Sequence, residues 1–441
     1  MTGSSAMGNS SASTGADKSD QRSEQQAALR SRPVETRLRR IEGSPVVALR
    51  LLFAGGARSE SVPGQALIAG RLLTEGTHRR SWDRIATDAE SRGMILSSFG
   101  GYETHGLSID ALADDWEIAL AWIAELALES SFPEDRLRWL ARQAAAELEA
   151  QADQADLVTA RAFSEQVYSP HPRGRPLQGD AESLARLDPD LCRDFHRAAF
   201  GWGAYLTVAG EIDPDRVEDR IAELFGAGGA VGREGEVAAP RPVPSSPSSA
   251  PLARQEVVTH AQDQAHLFLG SRTIARAHPD YAALEVAAVL LGTGSGLTGR
   301  IPQRIREREG LAYTATADTV SGAGIDEGRL VCYVGTAPET LDQAEASVRD
   351  ELARFLVEPI APADLESARS YLLGREPFRR ETARQWADLM AVSALLDLPL
   401  DDAHWHSDRI ARVAAEDVIA ASRRWIDLDR LLVTRGIPGS S

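Results

Sequence analysis

The sequence is poor in cysteine and has no long apolar run, and both shortages limit what the chain can be. Its 441 residues include two cysteines, Cys192 and Cys332. Both lie in apolar neighbourhoods, which suits buried small side chains better than a zinc knuckle or a redox pair. No apolar stretch is long enough to cross a bilayer, and the N-terminus lacks the apolar core of a secretory signal. We therefore expect no membrane contact and a cytoplasmic location.

Basic charge is also scarce. The chain has 48 Lys and Arg residues against 65 Asp and Glu residues, a formal net charge of −17. A nucleic-acid-binding protein needs a basic surface, so nucleic acid is not expected as a partner. The acidic balance fits a neutral or basic partner, but solubility alone is the preferred explanation.

Composition divides the chain into two large segments. Residues 1–32 are rich in Ser, Gly and charge, which is typical of a disordered tail. Residues 226–255 hold Gly, Pro and Ser clusters without a hydrophobic period, which indicates a linker. The segments 33–225 and 256–438 carry the same order of predicted elements. In each, an apolar strand and a helix precede a glycine-led strand and two long helices.

This repeated order predicts a duplicated fold. Three pairs of landmarks recur at nearly one offset: Gly93 and Gly310 (217 residues apart), Pro133 and Pro362 (229), and the strands 206–210 and 432–436 (226). A repeat this long indicates duplicated globular units rather than a solenoid. Strands grouped with long helices favour an α+β fold over a doubly wound sheet. We expect two homologous repeats, each an antiparallel sheet packed with helices.

The segment GQALIAGRLLTEGT (64–77) is a predicted helix that carries a family resemblance. It resembles the pitrilysin and mitochondrial-processing-peptidase family of zinc peptidases, the inverzincins, whose helix reads G-x-A-H-x-x-E-H-x-x-x-x-G-T. The frame of that motif is matched by Gly64, Ala66, Gly76 and Thr77. The resemblance extends through the later strand, the paired helices and the second copy, over roughly residues 35–438. It implies a clam-shell arrangement of the two repeats.

The metal-binding residues of that motif have been lost. Leu67 replaces the first histidine, Gly70 the general-base glutamate and Arg71 the second histidine. Leucine has no donor atom, glycine cannot accept a proton, and arginine is a permanent cation that repels a metal ion. Glu147 lies close to where the third ligand would fall, either as a solvated helix residue or as an ion-pair partner of Arg71. We expect no metal on this chain.

A second family feature is intact. Arg306 and Tyr313 lie seven positions apart around Gly-Leu-Ala in the second copy. The resemblance implies that they hold the substrate backbone and donate hydrogen bonds to the carbonyl oxygen as it becomes an oxyanion. The alternative is that Arg306 is a solvated helix charge and Tyr313 a core residue of a strand.

The segment SSFGGYETHGLS (97–108) aligns with the strand beside the family's zinc helix, to which an extended peptide can add. Gly100, Gly101 and Tyr102 are therefore candidate substrate-binding residues. The two glycines permit a close backbone approach, although a simple β-bulge is the preferred interpretation.

The leading functional hypothesis is a non-catalytic subunit of a heterodimeric zinc peptidase. A homologous partner would supply the zinc ion, and this chain would contribute Arg306 and Tyr313 to a shared cavity that processes peptides or leader peptides. The alternative is a structural or peptide-binding protein without a catalytic contribution. A self-sufficient enzyme is disfavoured because the sequence has no G-x-S-x-G, Walker or dinucleotide-binding motif in a suitable context.

Overall fold

The computed structural model describes residues 34–226, 255–294, 299–399 and 405–439. These ranges form two five-stranded sheets, each packed with helices. The predicted α+β fold with two homologous repeats is confirmed. The predicted tail (1–32) and nearly all of the predicted linker (226–255) lie outside the described residues.

The two sheets have the same strand order. The first follows the order β1-β5-β2-β4-β3 and the second β6-β10-β7-β9-β8. Each is antiparallel except for one parallel pair, β1 with β5 and β6 with β10. The strands of the first sheet are β1 (Glu35–Arg40), β2 (Val46–Ala54), β3 (Ile95–Gly100), β4 (Thr104–Leu112) and β5 (Ala204–Gly210). Those of the second are β6 (Gln255–His260), β7 (Ala265–Arg272), β8 (Ala312–Ser321), β9 (Arg329–Thr336) and β10 (Leu432–Pro438).

The helices also recur in the two repeats. The first repeat contains α1 (Gln65–Leu72), α2 (Trp82–Ser91), α3 (Trp116–Glu129), α4 (Glu134–Ala152), α5 (Ala155–Tyr168), α6 (Ala181–Arg186), α7 (Pro189–Trp202) and α8 (Pro214–Phe225). The second contains α9 (Tyr281–Ala288), α10 (Arg300–Pro302), α11 (Leu341–Val357), α12 (Pro362–Arg375), α13 (Ala383–Leu395), α14 (Trp405–Arg412) and α15 (Ala415–Trp425). A wider π-helical turn, Gln303–Arg308, continues α10. Gly93 and Gly310 adopt the same left-handed φ of 64° before β3 and β8, as equivalent turns require.

Helix α1 is shorter than the predicted helix over 64–77. It ends at Leu72, and Gly76 adopts a φ of 147°, which does not belong to an α-helix. Thr77 then forms an isolated β-bridge with Ser130. The frame glycine of the motif therefore marks the exit from the helix rather than its last turn.

The two repeats exchange one helix each, which the division at 226–255 does not anticipate. Helix α13 from the second repeat lies on the first sheet, where Thr207 Oγ1 donates to the Ala387 carbonyl at 2.9 Å. Helix α5 from the first repeat lies on the second sheet, and Phe163 packs there against Phe268. Helix α5 and strand β10 are in close contact. A Cβ atom on Gly436 would lie 2.1 Å from Thr159 Oγ1. Each sheet thus depends on the other repeat for part of its cover.

Turns from the two repeats meet beyond β3 and β8. Glu103, between β3 and β4, accepts hydrogen bonds from the backbone N–H groups of Ile325 and Asp326, both at 3.0 Å. Arg58 donates to both carboxylate oxygens of Asp326 at 2.8 and 3.1 Å. These contacts join the turn that follows β3 to the turn that follows β8.

A buried histidine pair lies in the core of the first repeat. His196 Nε2 donates to the Ala127 carbonyl at 2.8 Å, so His196 Nδ1 accepts from His105 Nε2 at 3.0 Å. Burial lowers the pKa of His196 to about 4. Burial, and then the neighbouring His196, holds the pKa of His105 well below its usual range. Both rings are therefore neutral at pH 7 and pack as part of the core. Within the described ranges, no helix is long and apolar enough to span a bilayer.

Candidate functional site

Helix α1, which carries the remnant of the metal motif, lies in backbone contact with strand β3. A Cβ atom on Gly70 would lie 2.2 Å from the Phe99 carbonyl oxygen. A Cβ atom on Gly100 would lie 2.3 Å from the Ala66 carbonyl oxygen and 2.5 Å from Leu67 Cα. Side chains on either element would hold them apart, so two glycines are needed for this approach. The position of the family's general base is therefore occupied by a packing contact.

The other two motif positions are also occupied by structural contacts. Leu67 is 5% exposed and belongs to the core of the first repeat. Arg71 donates to both oxygens of Glu147, at 3.1 and 3.2 Å. The ion pair considered from the sequence is thus present, and it places a guanidinium in the former metal-binding region.

These residues do not fit a zinc ion. Zinc in proteins is held by imidazole, thiolate and carboxylate groups. At the motif positions the chain offers one carboxylate, already engaged by a permanent cation. Across the described part of the chain, no group of three or more His, Cys, Asp or Glu side chains is placed to hold a metal ion.

Sequence reasoning missed Glu60, which supports α1 from its N-terminal side. Its side chain is 1% exposed, accepts from the Ala66 N–H at 3.1 Å and pairs with Arg175 at 3.0 Å. Burial raises the pKa of Glu60 to about 7, although the hydrogen bond from Ala66 and the charge of Arg175 oppose the rise. The available signal was an acidic residue shortly before a predicted helix N-terminus, where negative charge is stabilising.

The β-bulge interpretation of Gly100 and Gly101 is wrong. The pairing of β3 with β4 is regular from Ile95 through Gly100, and Gly100 serves the close approach to α1. Gly101 belongs to the turn, where its carbonyl accepts from the Ala57 N–H at 2.9 Å. Tyr102 is partly buried, and its Oη donates to the Arg175 carbonyl at 2.9 Å. Strand β3 still lies at one edge of its sheet, and among the described residues no strand pairs with its outer edge.

The second candidate pair flanks the turn into β8. Tyr313 is 88% exposed, so the interpretation as a core residue is wrong. The register of β8 against β9 shifts between Ala312 and Thr314, and Tyr313 is the extra residue of this bulge. Bulges re-aim side chains, which accounts for the exposure of this phenol. Arg306, on the π-helical turn, has a side chain that is 25% exposed and donates to Glu307 at 3.2 Å.

The structure unites some of the predicted site residues and leaves others separate. Gly70 meets Gly100, and Arg71 meets Glu147. Among the residues that the structure describes, no hydrogen bond joins Arg306 or Tyr313 to helix α1. The Arg306 and Tyr313 pair on the second repeat and the closed motif on the first are thus distinct features of the chain.

Comparison with known proteins identifies the family. Residues 37–181 match the family described as insulinase (peptidase family M16), and residues 193–372 match the peptidase M16 inactive domain. The chain belongs to peptidase family M16. This M16 chain is 28% identical to an uncharacterized zinc protease of Mycobacterium tuberculosis over 72% of each protein. It is 25% identical to the uncharacterized zinc protease YmxG of Bacillus subtilis, over 76% of this chain and 80% of YmxG.

Solved structures show the same fold at lower identity. The peptidase M16 inactive domain from Pseudomonas fluorescens superposes with a TM-score of 0.80 and 22% identity, over 92% of this chain and 97% of that one. A chain of complex III2 from Candida albicans superposes with a TM-score of 0.70 and 15% identity, over 92% of this chain and 94% of that one. At these identities the likeness establishes the fold and says nothing of activity.

Proposed function

We propose that this M16 chain is a non-catalytic subunit of a heterodimeric zinc peptidase. A homologous partner with an intact H-x-x-E-H motif supplies the zinc ion, and this chain contributes Arg306 and Tyr313 to a shared peptide-cleaving cavity. The exposure of Tyr313 is the observation that carries the proposal. A tyrosine that is 88% exposed contributes little to the core of its own chain and remains available to another one.

The contrast between the two repeats supports a partner that holds the zinc ion and a chain that supplies hydrogen-bond donors. On the first repeat, all three motif positions are engaged in packing or in an ion pair. On the second, the guanidinium of Arg306 and the phenol of Tyr313 both carry hydrogen-bond donors. Two such donors stabilise a developing oxyanion without belonging to the chain that holds the metal.

The experiment is reconstitution with a homologous subunit that carries H-x-x-E-H, followed by a peptide-cleavage assay. We expect Arg306→Ala and Tyr313→Phe each to lower kcat/KM by about 10²–10³, the usual contribution of one oxyanion donor. Complex formation should be unchanged, since neither substitution removes a core side chain. Chelation of the metal should abolish cleavage by the wild-type pair.

Two neighbouring substitutions serve as matched controls. Arg308→Ala removes an exposed guanidinium from the same π-helical turn, and Thr316→Val changes an exposed position of β8. Both should leave kcat/KM within about twofold of the wild type, since neither side chain belongs to the proposed donor pair. Equal activity of the Arg306→Ala, Tyr313→Phe double variant and the wild type would refute the catalytic contribution. It would favour the structural or peptide-binding alternative.

A further inference from the structure

Positive charge gathers at the seam between the two repeats. The guanidinium carbons of Arg173, Arg272 and Arg329 lie 5.7, 5.5 and 5.8 Å from the centre of the Tyr168 ring. Arg272 and Arg329 also stand directly opposite each other on β7 and β9. Like charges in opposed positions of a sheet destabilise it, so this arrangement needs compensation.

The positive charges of two of these arginines are compensated by hydrogen-bond acceptors within the chain. Arg173 pairs with Glu103 at 2.7 Å and also donates to the Gly322 and Glu327 carbonyls. Arg272 donates to the Val167 and Tyr168 carbonyls, both at 2.7 Å, at the C-terminal end of α5. Both guanidiniums therefore stabilise the seam itself.

Arg329 and Arg161 lack such compensation. Arg329 donates to Ser164 Oγ at 2.6 Å and lies against the Phe163 and Tyr168 rings. Arg161 donates to the Gln151 side-chain oxygen at 3.1 Å. In the described ranges neither has a carboxylate oxygen within 4.0 Å, although the chain carries 65 acidic residues. Burial lowers the pKa of Arg329, which reflects the cost of a half-buried cation, although the more distant charge of Asp318 acts in the opposite direction.

These two arginines share one face of helix α5. Arg161 lies one turn before Ser164, and residues three apart on a helix are neighbours on its surface. Because Arg329 donates to Ser164, its guanidinium lies on that same face. Burial is the larger effect on the Tyr102 phenol and raises its pKa. The positive charges of Arg173, Arg329 and Arg161 act in the opposite direction, so all three lie near this ring. The pair therefore lies near the end of β3, two residues after Gly100.

A ligand can reach this face. Both arginines are only half-buried. Arg161, but not Arg329, also lines a cavity of about 350 Å³ between α4, α5 and the segment after Arg175, together with Glu149 and Asp180. An extended peptide on the open edge of β3 would run toward Tyr102 and bring its side chains or its C-terminus to this place.

We propose that Arg161 and Arg329 form a carboxylate-binding subsite for a peptide that adds to β3, so that the chain prefers acidic peptides. Guanidinium groups bind carboxylates through paired, charge-assisted hydrogen bonds, which is the interaction that these two arginines lack within the chain. The carboxylate comes from a Glu or Asp side chain or from the peptide C-terminus. This inference rests on the proposed peptide-handling role, but not on the presence of a zinc-bearing partner.

The test is titration calorimetry of the full-length chain with matched decapeptides of alternating Ser and Val. One acetylated and amidated pair carries Glu or Gln at the fifth position, and a second pair ends in a free carboxylate or an amide. We expect about tenfold tighter binding of one carboxylate-bearing member, as for one charge-assisted hydrogen bond. The pair that shows this difference identifies the source of the carboxylate. Arg161→Gln and Arg329→Gln should each abolish the preference.

Arg142→Gln is the matched control, since Arg142 is an exposed arginine on α4. It should keep the tenfold preference. Equal binding of both members of each pair, no binding of either, or a preference that survives Arg161→Gln would overturn the proposal. If circular dichroism shows that Arg329→Gln does not fold, Arg161→Gln alone decides. If the chain prefers the carboxylate-bearing peptides but has no zinc-bearing partner, the subsite proposal is supported and only the heterodimer proposal is refuted.

Discussion

Replacing Gly70 with alanine tests the contact between α1 and β3. In an ordinary helix interior this change gains about 1 kcal/mol, because alanine has the better helix propensity. Here the new Cβ atom would lie 2.2 Å from the Phe99 carbonyl oxygen and 2.6 Å from the carbonyl carbon. Both are backbone atoms, so no change of rotamer relieves the clash. Helix α1 must move outward by about 1 Å or more to approach the roughly 3.5 Å of a favourable nonbonded contact.

The cost of this movement exceeds the gain in propensity. Overpacking typically costs about 1–3 kcal/mol, and we take the upper end because two backbone segments must separate. The net expectation is a loss of about 2 kcal/mol in the free energy of unfolding. Thermal unfolding at a fixed scan rate is the suitable assay, because a chain with two repeats need not unfold in two states. At about 2–4 °C per kcal/mol, the Tm should fall by several degrees.

Gly374→Ala provides the matched control on another helix. No atom lies within 4 Å of a Cβ atom built on Gly374, which belongs to α12 and is exposed. This variant should unfold at the wild-type temperature or slightly above it, since only the helix propensity changes. If Gly70→Ala behaved in the same way, the close packing of α1 on β3 would be refuted.

Three further predictions concern the motif positions and the buried histidine pair. The triple variant Leu67→His, Gly70→Glu, Arg71→His should bind no stoichiometric zinc, because a Cβ atom at position 70 still meets the β3 backbone. Elemental analysis measures the zinc content, and one zinc per chain would contradict this expectation. Arg71→Met should lower the free energy of unfolding by less than about 1 kcal/mol, since the Arg71 side chain is 27% exposed in its ion pair. Thermal or urea unfolding measures this loss, and a larger value would show that the ion pair belongs to a coupled network. His105→Phe should reduce, without abolishing, the pH dependence of the Tm below pH 6.5. In the wild type the unfolded histidines take up protons near pH 6.5, whereas the pKa of folded His105 is held well below its usual range and that of folded His196 is about 4, so stability falls as the pH falls. The variant loses the contribution of His105 and keeps that of His196. An unchanged slope in the variant would exclude the histidine pair as the cause.

Much of the fold could be predicted from local patterns. The glycine-led turns at Gly93 and Gly310 and the long helices recur at nearly one offset, and the structure places them in equivalent positions. The exchange of α5 and α13 could not be predicted in this way. Each helix has ordinary helical periodicity, and nothing in that periodicity says which sheet the apolar face will cover.

The candidate site likewise combines features that the sequence predicts with features that depend on tertiary contacts. The residue types alone showed that Leu67, Gly70 and Arg71 cannot form the family's zinc site. They did not show that Gly70 permits contact with Gly100, because that depends on the meeting of a helix and a strand 30 residues apart. The exposure of Tyr313 depends likewise on a bulge in the pairing of β8 with β9, which is a property of two strands together.

The sequence by itself therefore determined the duplication, the family resemblance and the loss of metal ligands, because these depend on which atoms the side chains carry and at what spacing. Only the tertiary structure decided that the former zinc helix packs on β3, that each repeat covers the other's sheet, and that Arg161 and Arg329 share one face of α5. These features arise from contacts between residues far apart in the chain. Local periodicity carries no record of such contacts, since it constrains only neighbours within one helix or strand.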